Sequence, residues 1–300
     1  VEDLTADGFE LDLLGFGADE LTALLGEYGQ DAAKPGDGLT DPDEAPAVQA
    51  TPVTKLGDVW VMGKHRLMCG DSTSHESVSA LMQGEKADLC FTDPPYGVSY
   101  DGSKTKHGSN GFSYASFIDT PENIEAICVP AVRMAVGMAR SAIVTPGNAN
   151  AFKYDEPRSL GVIYYPSGAN SGPWGFVCSQ PLFYYGKDPY LANALGSRPN
   201  AFATTEATDR TIQHPCPKPL KTVEWMVARV SLAGETILDP FMGSGTTLVA
   251  CQRMGRHGTG IELDPDYFQI ACQRVDEAAR QPDLLIPETR PQPTQEAMDL

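Results

Sequence analysis

Between residues 55 and 280, short apolar runs alternate with stretches of helical periodicity. Ala87–Thr92 is predicted to be a buried strand that stops at Asp93-Pro94-Pro95-Tyr96. Pro121 to Ala139 carries a helical pattern with proline in its first turn. Strands that alternate with helices at this spacing are typical of a parallel sheet covered on both faces. We therefore expect an α/β fold with a doubly wound, mostly parallel sheet.

The remaining predicted elements of this region continue the alternation. The predicted strands are Val59–Met62, Arg66–Cys69, Ser141–Thr145, Val162–Tyr165, Leu182–Tyr185, Thr236–Leu238 and Gly258–Ile261. The predicted helices are Ser74–Gln83, Lys221–Leu232, Gly245–Met254 and Asp266–Ala279. Sheets of this kind bind ligands at the carboxyl ends of their strands, so candidate functional side chains should directly follow strands.

The two flanks of the chain differ from this region in composition. Residues 1–28 contain leucines at helical spacing after two acidic residues, which predicts a short N-terminal helical segment. Residues 29–54 are rich in Asp, Ala, Pro and Gly, as in an acidic linker. Residues 281–300 contain four prolines and are predicted to be a flexible tail. The main domain is therefore expected at 55–280.

Taken over the whole chain, the net charge of −18 argues against a polyanionic partner, because phosphate contacts need lysine and arginine. However, residues 1–50 hold thirteen acidic residues against one basic residue, a net of −12, and residues 276–300 have a net of −4. The middle is nearly neutral, at −2. The acidic charge thus belongs to the flanks and does not exclude a nucleic-acid partner for the main domain.

Hydropathy and cysteine usage narrow the class further. No run approaches the ~18 apolar residues that cross a bilayer, and no signal-peptide pattern opens the chain, so we expect a cytoplasmic protein without a membrane partner. The seven cysteines form no C-x-x-C pair, which favours reduced thiols and predicts no metal site.

A predicted strand at Thr236–Leu238 leads into a glycine turn and a helix, with Gly243 and Gly245 in the turn. No lysine follows the glycines, which excludes a Walker-type phosphate loop. Glu262 ends the next predicted strand, near the spacing at which an acidic residue binds ribose hydroxyls. The pattern indicates an adenosine-type cofactor, either a nicotinamide dinucleotide or S-adenosylmethionine.

Asp93-Pro94-Pro95-Tyr96 favours the second of these. A carboxylate and a rigidly held backbone carbonyl can both accept hydrogen bonds from an aromatic amine, which frees the nitrogen lone pair to attack a sulfonium methyl group. An adjacent tyrosine offers a face on which an extruded base stacks. Proline rigidity suits the narrow geometry that such an attack requires. The candidate catalytic residues are therefore Asp93, Pro94, Pro95 and Tyr96.

With these motifs in this order, residues 55–275 resemble a β-type (permuted) DNA amino-methyltransferase. Asp71, in the block His65–Ser72, resembles the residue of that family that contacts the cofactor adenine. The block His214-Pro215-Cys216-Pro217-Lys218-Pro219 resembles the family's H-P-x-x-K-P block at the methionine end of the cofactor. The resemblance implies a Rossmann-like fold, S-adenosylmethionine as cofactor, and these cofactor-binding residues: Asp71, His214, Lys218, Asp239, Phe241, Gly243, Ser244, Gly245, Thr246 and Glu262.

The resemblance also bears on target and partners. Asp-Pro-Pro-Tyr goes mostly with N6-adenine and Ser-Pro-Pro-Tyr mostly with N4-cytosine, so adenine is favoured and cytosine stays open. The resemblance implies DNA as the partner, and it implies a homodimer as a candidate assembly. Gly8–Phe16 resembles the end of ParB-like domains that precede phage and prophage methyltransferases, which implies an upstream ParB-like domain in a longer protein.

The predicted DNA-facing residues lie in two segments. Lys104 and Lys106 are in a polar, glycine-rich loop after the catalytic motif and are expected to contact phosphates. Residues 166–213 are expected to hold the target-recognition segment, with Lys187 and Arg198 among its basic residues. Tyr165 stands where many adenine-specific members carry a stacking Trp.

Overall fold

The computed structural model describes residues 54–97, 119–166, 168, 170–205, 218–280 and 294–296. The predicted N-terminal helical segment and linker, together with Lys104, Lys106 and His214, lie outside these residues. Within them, no helix is long and apolar enough to span a membrane.

The described parts of the chain contain twelve strands and seven α-helices. The strands are β1 (Val59–Met62), β2 (His65–Cys69), β3 (Ala87–Thr92), β4 (Ala139–Val144), β5 (Ser159–Tyr164), β6 (Asn170–Gly172), β7 (Gly175–Val177), β8 (Ser179–Gly186), β9 (Ala201–Ala203), β10 (Thr236–Asp239), β11 (His257–Glu262) and β12 (Thr294–Glu296). The helices are α1 (His75–Leu81), α2 (Pro121–Asn123), α3 (Val129–Gly137), α4 (Pro189–Ala192), α5 (Leu220–Val230), α6 (Thr246–Arg253) and α7 (Pro265–Arg280). A π-helical segment, Ile124–Cys128, joins α2 to α3, and a 3₁₀ turn covers Ala151–Lys153.

Ten strands form one sheet in the order β12-β1-β2-β11-β10-β3-β4-β8-β5-β9. The five central strands, from β2 to β4, are mutually parallel. Strand β8 runs antiparallel to both β4 and β5. The short strands β6 and β7 pair with each other as a separate hairpin. The fold is therefore α/β with a mostly parallel sheet, as the sequence predicts.

Both faces of the sheet are covered, because alternate residues of the central strands point to opposite sides. Leu89 and Phe91 of β3 pack in one apolar cluster with residues of α5, α6 and α7. Their neighbour Cys90 packs in a second cluster with residues of α1 and α3. Full burial of a leucine or phenylalanine side chain contributes roughly 1.5–3 kcal/mol, so this double layer holds the strand ends in place.

The strand order reverses direction between β10 and β3, which are hydrogen-bonded neighbours. From β10 the chain crosses over through α6 to β11 on one side, whereas from β3 it crosses through α2 and α3 to β4 on the other. Such a switch point leaves a crevice at the carboxyl ends of the strands, where ligands bind in open α/β sheets. Asp239 and Asp93 stand at the ends of these two strands.

The structure also contains elements that the sequence analysis did not predict. The predicted flexible tail includes β12, which pairs antiparallel with β1 at the sheet edge. The segment 166–213 holds β6 to β9 and α4, of which β8 is eight residues long. The β1–β12 pairing joins distant parts of the chain, and β6, β7 and β9 are only three residues long each, so local sequence patterns do not reveal them.

Candidate functional site

The exit of β3 places Asp93 and Tyr96 beside the end of β4. The backbone N–H of Thr145 donates to the Thr92 carbonyl over 3.0 Å, which extends the β3–β4 pairing by one step. Pro94 and Pro95 then restrict the backbone, because proline fixes φ and cannot continue the ladder. The carboxylate of Asp93 is therefore presented from a rigid strand end.

Three side chains donate hydrogen bonds to this carboxylate. Oδ1 accepts from the Tyr96 hydroxyl over 2.5 Å and also from the Thr145 hydroxyl. Oδ2 accepts from Nζ of Lys218 over 2.5 Å. An ionised carboxylate offers about four acceptor positions. With the partners found among the described residues, one position on Oδ2 remains for an incoming donor.

The Tyr96 hydroxyl lies at the centre of the cluster. It accepts hydrogen bonds from Lys218 Nζ over 3.0 Å and from Gln180 Nε2 over 2.5 Å. Burial, reinforced by the Asp93 charge, raises the pKa of Tyr96, so the hydroxyl stays protonated and donates to Asp93. Tyr165 extends the network, because its hydroxyl donates to Gln180 Oε1 over 3.4 Å.

The ring and backbone of Tyr96 are also held. Gly147 (φ +71°) lies against the ring, so that a Cβ placed there would be 2.9 Å from Cδ1 of Tyr96. Asn150 donates from Nδ2 to the Tyr96 carbonyl over 2.5 Å. The loop after β4 thus fixes both the position and the plane of the half-buried tyrosine ring.

The second part of the site is the turn between β10 and α6. Gly243 and Gly245 both adopt positive φ, at +52° and +81°, which glycine adopts without strain. Gly245 also packs directly on α7, since a Cβ there would lie 2.8 Å from Cβ of Ala271. The turn is therefore both sharply bent and tightly packed.

Glu262 closes the turn from the neighbouring strand. Its Oε2 accepts from the Gly243 N–H over 3.0 Å, and its Oε1 accepts from the Asp264 N–H over 2.8 Å. Burial raises the pKa of Glu262 to about 7. Asp239 accepts a hydrogen bond from the Phe241 N–H over 3.1 Å. Burial also raises the pKa of Asp239 to about 7. Two carboxyl groups that resist ionisation thus lie along the switch-point crevice.

Arg274 of α7 is a contributor to the turn that the sequence does not single out. Its buried Nη1 donates to the Ser244 carbonyl over 2.8 Å, and to the hydroxyls of Ser244 and Thr246 over 3.0 Å each. Ser244 and Thr246 therefore direct their hydroxyls towards the protein interior. These hydrogen bonds support the turn on the side that faces α7.

The structure places the other sequence-predicted cofactor residues as follows. Asp71 is exposed just beyond β2, whose end pairs with Glu262 in β11. Phe241 is half-buried and packs against the apolar cluster around Ile124 and Phe183. Lys218 is brought to Asp93 and Tyr96, on the β3 side of the crevice.

Lys187 and Arg198 are not brought to this edge. Lys187 follows β8, which runs antiparallel to β4, and its carbonyl accepts from the Ser141 hydroxyl near the start of β4. The guanidinium of Arg198 lies 4.4 Å from the ring centroid of Tyr190. The Tyr190 hydroxyl in turn donates to the Ala228 carbonyl near the end of α5. Lys187 therefore lies near the amino-terminal ends of the central parallel strands, because β8 runs antiparallel to β4. Arg198 is placed away from the crevice by its contact with Tyr190, which is hydrogen-bonded to α5.

Residues 192–273 match a family model described as DNA methylase, and residues 1–56 match one described as ParB-methyltransferase HTH domain. A solved PvuII DNA methyltransferase, described as cytosine-N4-specific, has a TM-score of 0.50 at 13% identity, over 79% of this chain and 90% of that one. The fold is that of DNA methyltransferases.

Two curated relatives match shorter stretches. The type II methyltransferase M.HpaI of Haemophilus parainfluenzae is 40% identical over 63 residues, 21% of this chain and 20% of that protein. The type II methyltransferase M2.DpnII of Streptococcus pneumoniae is 41% identical over 64 residues, 21% and 24% respectively. The chain thus spans about a fifth to a quarter of the length of these relatives. Together the matches confirm the resemblance to DNA amino-methyltransferases and identify a ParB-like N-terminal part within this chain.

Proposed function

We propose that this protein transfers a methyl group from S-adenosylmethionine to an exocyclic amine of DNA, with adenine N6 as the target. The observation that carries the proposal is the Asp93 carboxylate, held by Tyr96, Thr145 and Lys218 with one acceptor position left on Oδ2. It stands at the same switch point as the glycine turn, so a target amine and a cofactor would meet in one crevice.

The donor and acceptor groups of the crevice fit S-adenosylmethionine. Glu262 is the last residue of β11, and Asp71 lies just beyond the end of its parallel neighbour β2, so they supply carboxylates for ribose hydroxyls and an adenine amine. Gly243 and Gly245 let the backbone approach the ligand closely. No lysine follows the glycines, so the turn is unsuited to a phosphate chain. When bound, S-adenosylmethionine supplies an electrophilic methyl group.

In the proposed mechanism, the chain orients the attacking nitrogen. Asp93 Oδ2 and the Pro94 carbonyl accept the two N–H bonds of the target amine, which directs the nitrogen lone pair away from the base. The nitrogen–carbon bond forms as the sulfur–carbon bond breaks, and the amine proton leaves through Asp93 to solvent. No covalent enzyme intermediate is needed. The ring of Tyr96 stacks on the extruded base.

The hydrogen bonds around Asp93 serve this orientation. Thr145 and Tyr96 fix Oδ1 from two directions, so the free position of Oδ2 has a defined direction. Lys218 offsets the cost of holding a carboxylate in a half-buried site. The reacting atoms must be placed within a narrow range of distances and angles. Because these hydrogen bonds already fix the Asp93 side chain, less conformational entropy is lost when the target amine binds.

The test is incorporation of a labelled methyl group into unmethylated mixed-sequence DNA by the full chain. We expect Asp93→Asn, which keeps the shape of the side chain, to lose activity by at least a hundredfold. The exposed control Glu85→Gln should retain it. Full activity in Asp93→Asn would overturn the catalytic assignment.

The target base needs a separate measurement. The sequence Asp-Pro-Pro-Tyr supports adenine, whereas the PvuII enzyme that shares the fold is described as cytosine-N4-specific. Nucleosides from digested product DNA, separated by mass spectrometry, distinguish N6-methyladenine from N4-methylcytosine. Finding only the latter would change the proposed target to cytosine.

A nicotinamide-dependent oxidoreductase is the alternative from another class, because the glycine turn and Glu262 would also serve a dinucleotide. That alternative leaves the Asp93–Tyr96–Lys218 cluster without a role. Thermal denaturation with S-adenosylmethionine or with NADH separates the two. Stabilisation by NADH alone would favour the oxidoreductase.

A further inference from the structure

The hairpin β6–β7 presents two exposed aromatic side chains. The register pairs Gly172 with Gly175, so Pro173 and Trp174 form the tip. Trp174 is 101% exposed and Phe176 is 81% exposed. Two large aromatic side chains exposed so close together form an apolar surface of the kind that contacts a partner.

The hairpin is anchored next to the catalytic cluster. Ser179, two residues after the end of β7, accepts at its carbonyl from Asn148 Nδ2 over 2.9 Å. The next residue, Gln180, donates to the Tyr96 hydroxyl. The loop that contains Asn148 also packs against Tyr96 through Gly147. A strand rises ~3.3 Å per residue, so Trp174, five residues before Ser179, lies at most roughly 17 Å from it.

Charge distinguishes the kinds of partner. From Ser159 to Gly186 the sequence contains no Asp, Glu, Lys, Arg or His. A surface that binds DNA phosphates needs cations, and this hairpin has none. Aromatic faces without charge are instead suited to stacking on bases, which is independent of sequence because every base has a π face.

We infer that the β6–β7 hairpin is a base-stacking wedge, in which Trp174 and Phe176 stack on DNA bases next to the extruded target nucleotide. This inference rests on the proposed function, since it is the extrusion of a base towards Asp93 that unstacks its neighbours. Apolar side chains inserted at such steps replace the lost stacking and hold the duplex open. The short two-residue tip, with its proline, limits the freedom of Trp174 before DNA binds.

The wedge predicts a difference between duplex and single strands. A single strand has no neighbouring stack to open, so it should depend less on Trp174. We expect Trp174→Ala to lower kcat/KM on unmethylated mixed-sequence duplex by roughly ten- to a hundredfold. On the same DNA after heat denaturation, the loss should be under threefold. Trp174→Phe, which keeps a stacking face, should restore most of the duplex activity.

Two control variants isolate the hairpin. Phe152→Ala removes an equally exposed aromatic side chain from the 3₁₀ turn after β4, and Leu191→Ala removes an exposed apolar side chain from α4. Neither change should alter the ratio of duplex to single-strand activity. A ratio altered equally by all three variants would overturn the inference.

Tryptophan fluorescence gives a readout that does not depend on activity. The chain has three tryptophans, of which Trp60 and Trp225 are half-buried and Trp225 stacks on Phe202. Stacking on bases quenches indole emission, so duplex DNA should quench the wild type, and Trp174→Phe should remove most of that quenching. Unchanged quenching in Trp174→Phe would overturn the inference.

Sedimentation of each variant tests a second copy of this chain as the occupant of the hairpin. If Trp174→Ala converts a dimer to a monomer and lowers duplex and single-strand activity equally, the hairpin is a self-association surface and the wedge is refuted. Failure of the proposed function has a different signature. DNA would then quench Trp174 in a wild-type protein that methylates no DNA, which supports base stacking and refutes the methyl transfer.

Discussion

The two glycines that flank α6 allow the cost of close packing at the turn between β10 and α6 to be measured separately from backbone strain. Gly245 and Gly255 both adopt positive φ, at +81° and +71°. A Cβ at Gly255 would have no atom within 4 Å, whereas at Gly245 it would lie 2.8 Å from Cβ and 3.0 Å from Cα of Ala271. Alanine at either position incurs the same conformational strain, but only at Gly245 does it also collide with α7.

The magnitudes follow from these distances. A non-glycine residue in the left-handed region costs about 1–2 kcal/mol, which is the expected loss in unfolding free energy for Gly255→Ala. Overpacking against backbone adds about 1–3 kcal/mol. Gly245→Ala should therefore lose about 2–5 kcal/mol. Ala271→Gly in the same chain should relieve only part of this loss, because Cα of residue 271 remains in place.

The assay is urea unfolding followed by circular dichroism, with the midpoint compared at an equal slope. Isothermal titration with S-adenosylmethionine provides the functional readout. Because Gly245→Ala must move α7, which also carries Arg274, we expect this variant to bind the cofactor roughly tenfold more weakly. We expect Gly255→Ala to leave cofactor binding unchanged. Equal losses of stability in the two variants would refute the packing argument.

Three further predictions concern the charged groups. Asp239 and Glu262 have pKa values raised to about 7, so above pH 4 the folded state binds more protons than the unfolded state. Their contribution to stability therefore falls as the pH rises to about 7. Glu262→Gln should show a shallower fall in urea midpoint between pH 5 and 8, and a fall as steep as that of the wild type would contradict the assignment. Tyr96→Phe removes a hydrogen bond to a carboxylate and should lower kcat about tenfold or more with little change in KM for DNA; steady-state kinetics checks this, and a pure KM effect would speak against it. Deletion of residues 1–50, with a net charge of −12, should strengthen DNA binding in anisotropy titrations at two salt concentrations; weaker binding would instead assign DNA contacts to the ParB-like segment at 1–56.

The part of the site that follows strand ends was predictable from sequence. The predicted strand Ala87–Thr92 has the observed bounds of β3 and leads into Asp93. The strand–turn–helix–strand pattern also places Gly243 and Glu262 together, and they are hydrogen-bonded. These relations are local or follow from parallel-strand geometry, so residue spacing is sufficient to reveal them.

The partners of these groups were not predictable in the same way. Thr145, Gln180 and Arg274 lie 52, 84 and 30 residues from the groups they contact, and no spacing rule connects them. The position of Lys187 depends on the reversed direction of β8, an antiparallel pairing that has no signal in its uncharged sequence. Which cation faces the site is thus a property of the tertiary fold.

The ion pair between Asp93 and Lys218 also has a consequence for how the protein folds. It joins residues 125 apart, whereas the bond between Gly243 and Glu262 joins residues 19 apart. By the logarithmic dependence of loop closure on length, the longer contact costs roughly 1.7 kcal/mol more chain entropy before it forms. The glycine turn can therefore assemble early from one contiguous stretch, while the Asp93 cluster waits for the distant parts of the chain to dock. In refolding from urea, recovery of cofactor binding should precede the return of methyl transfer.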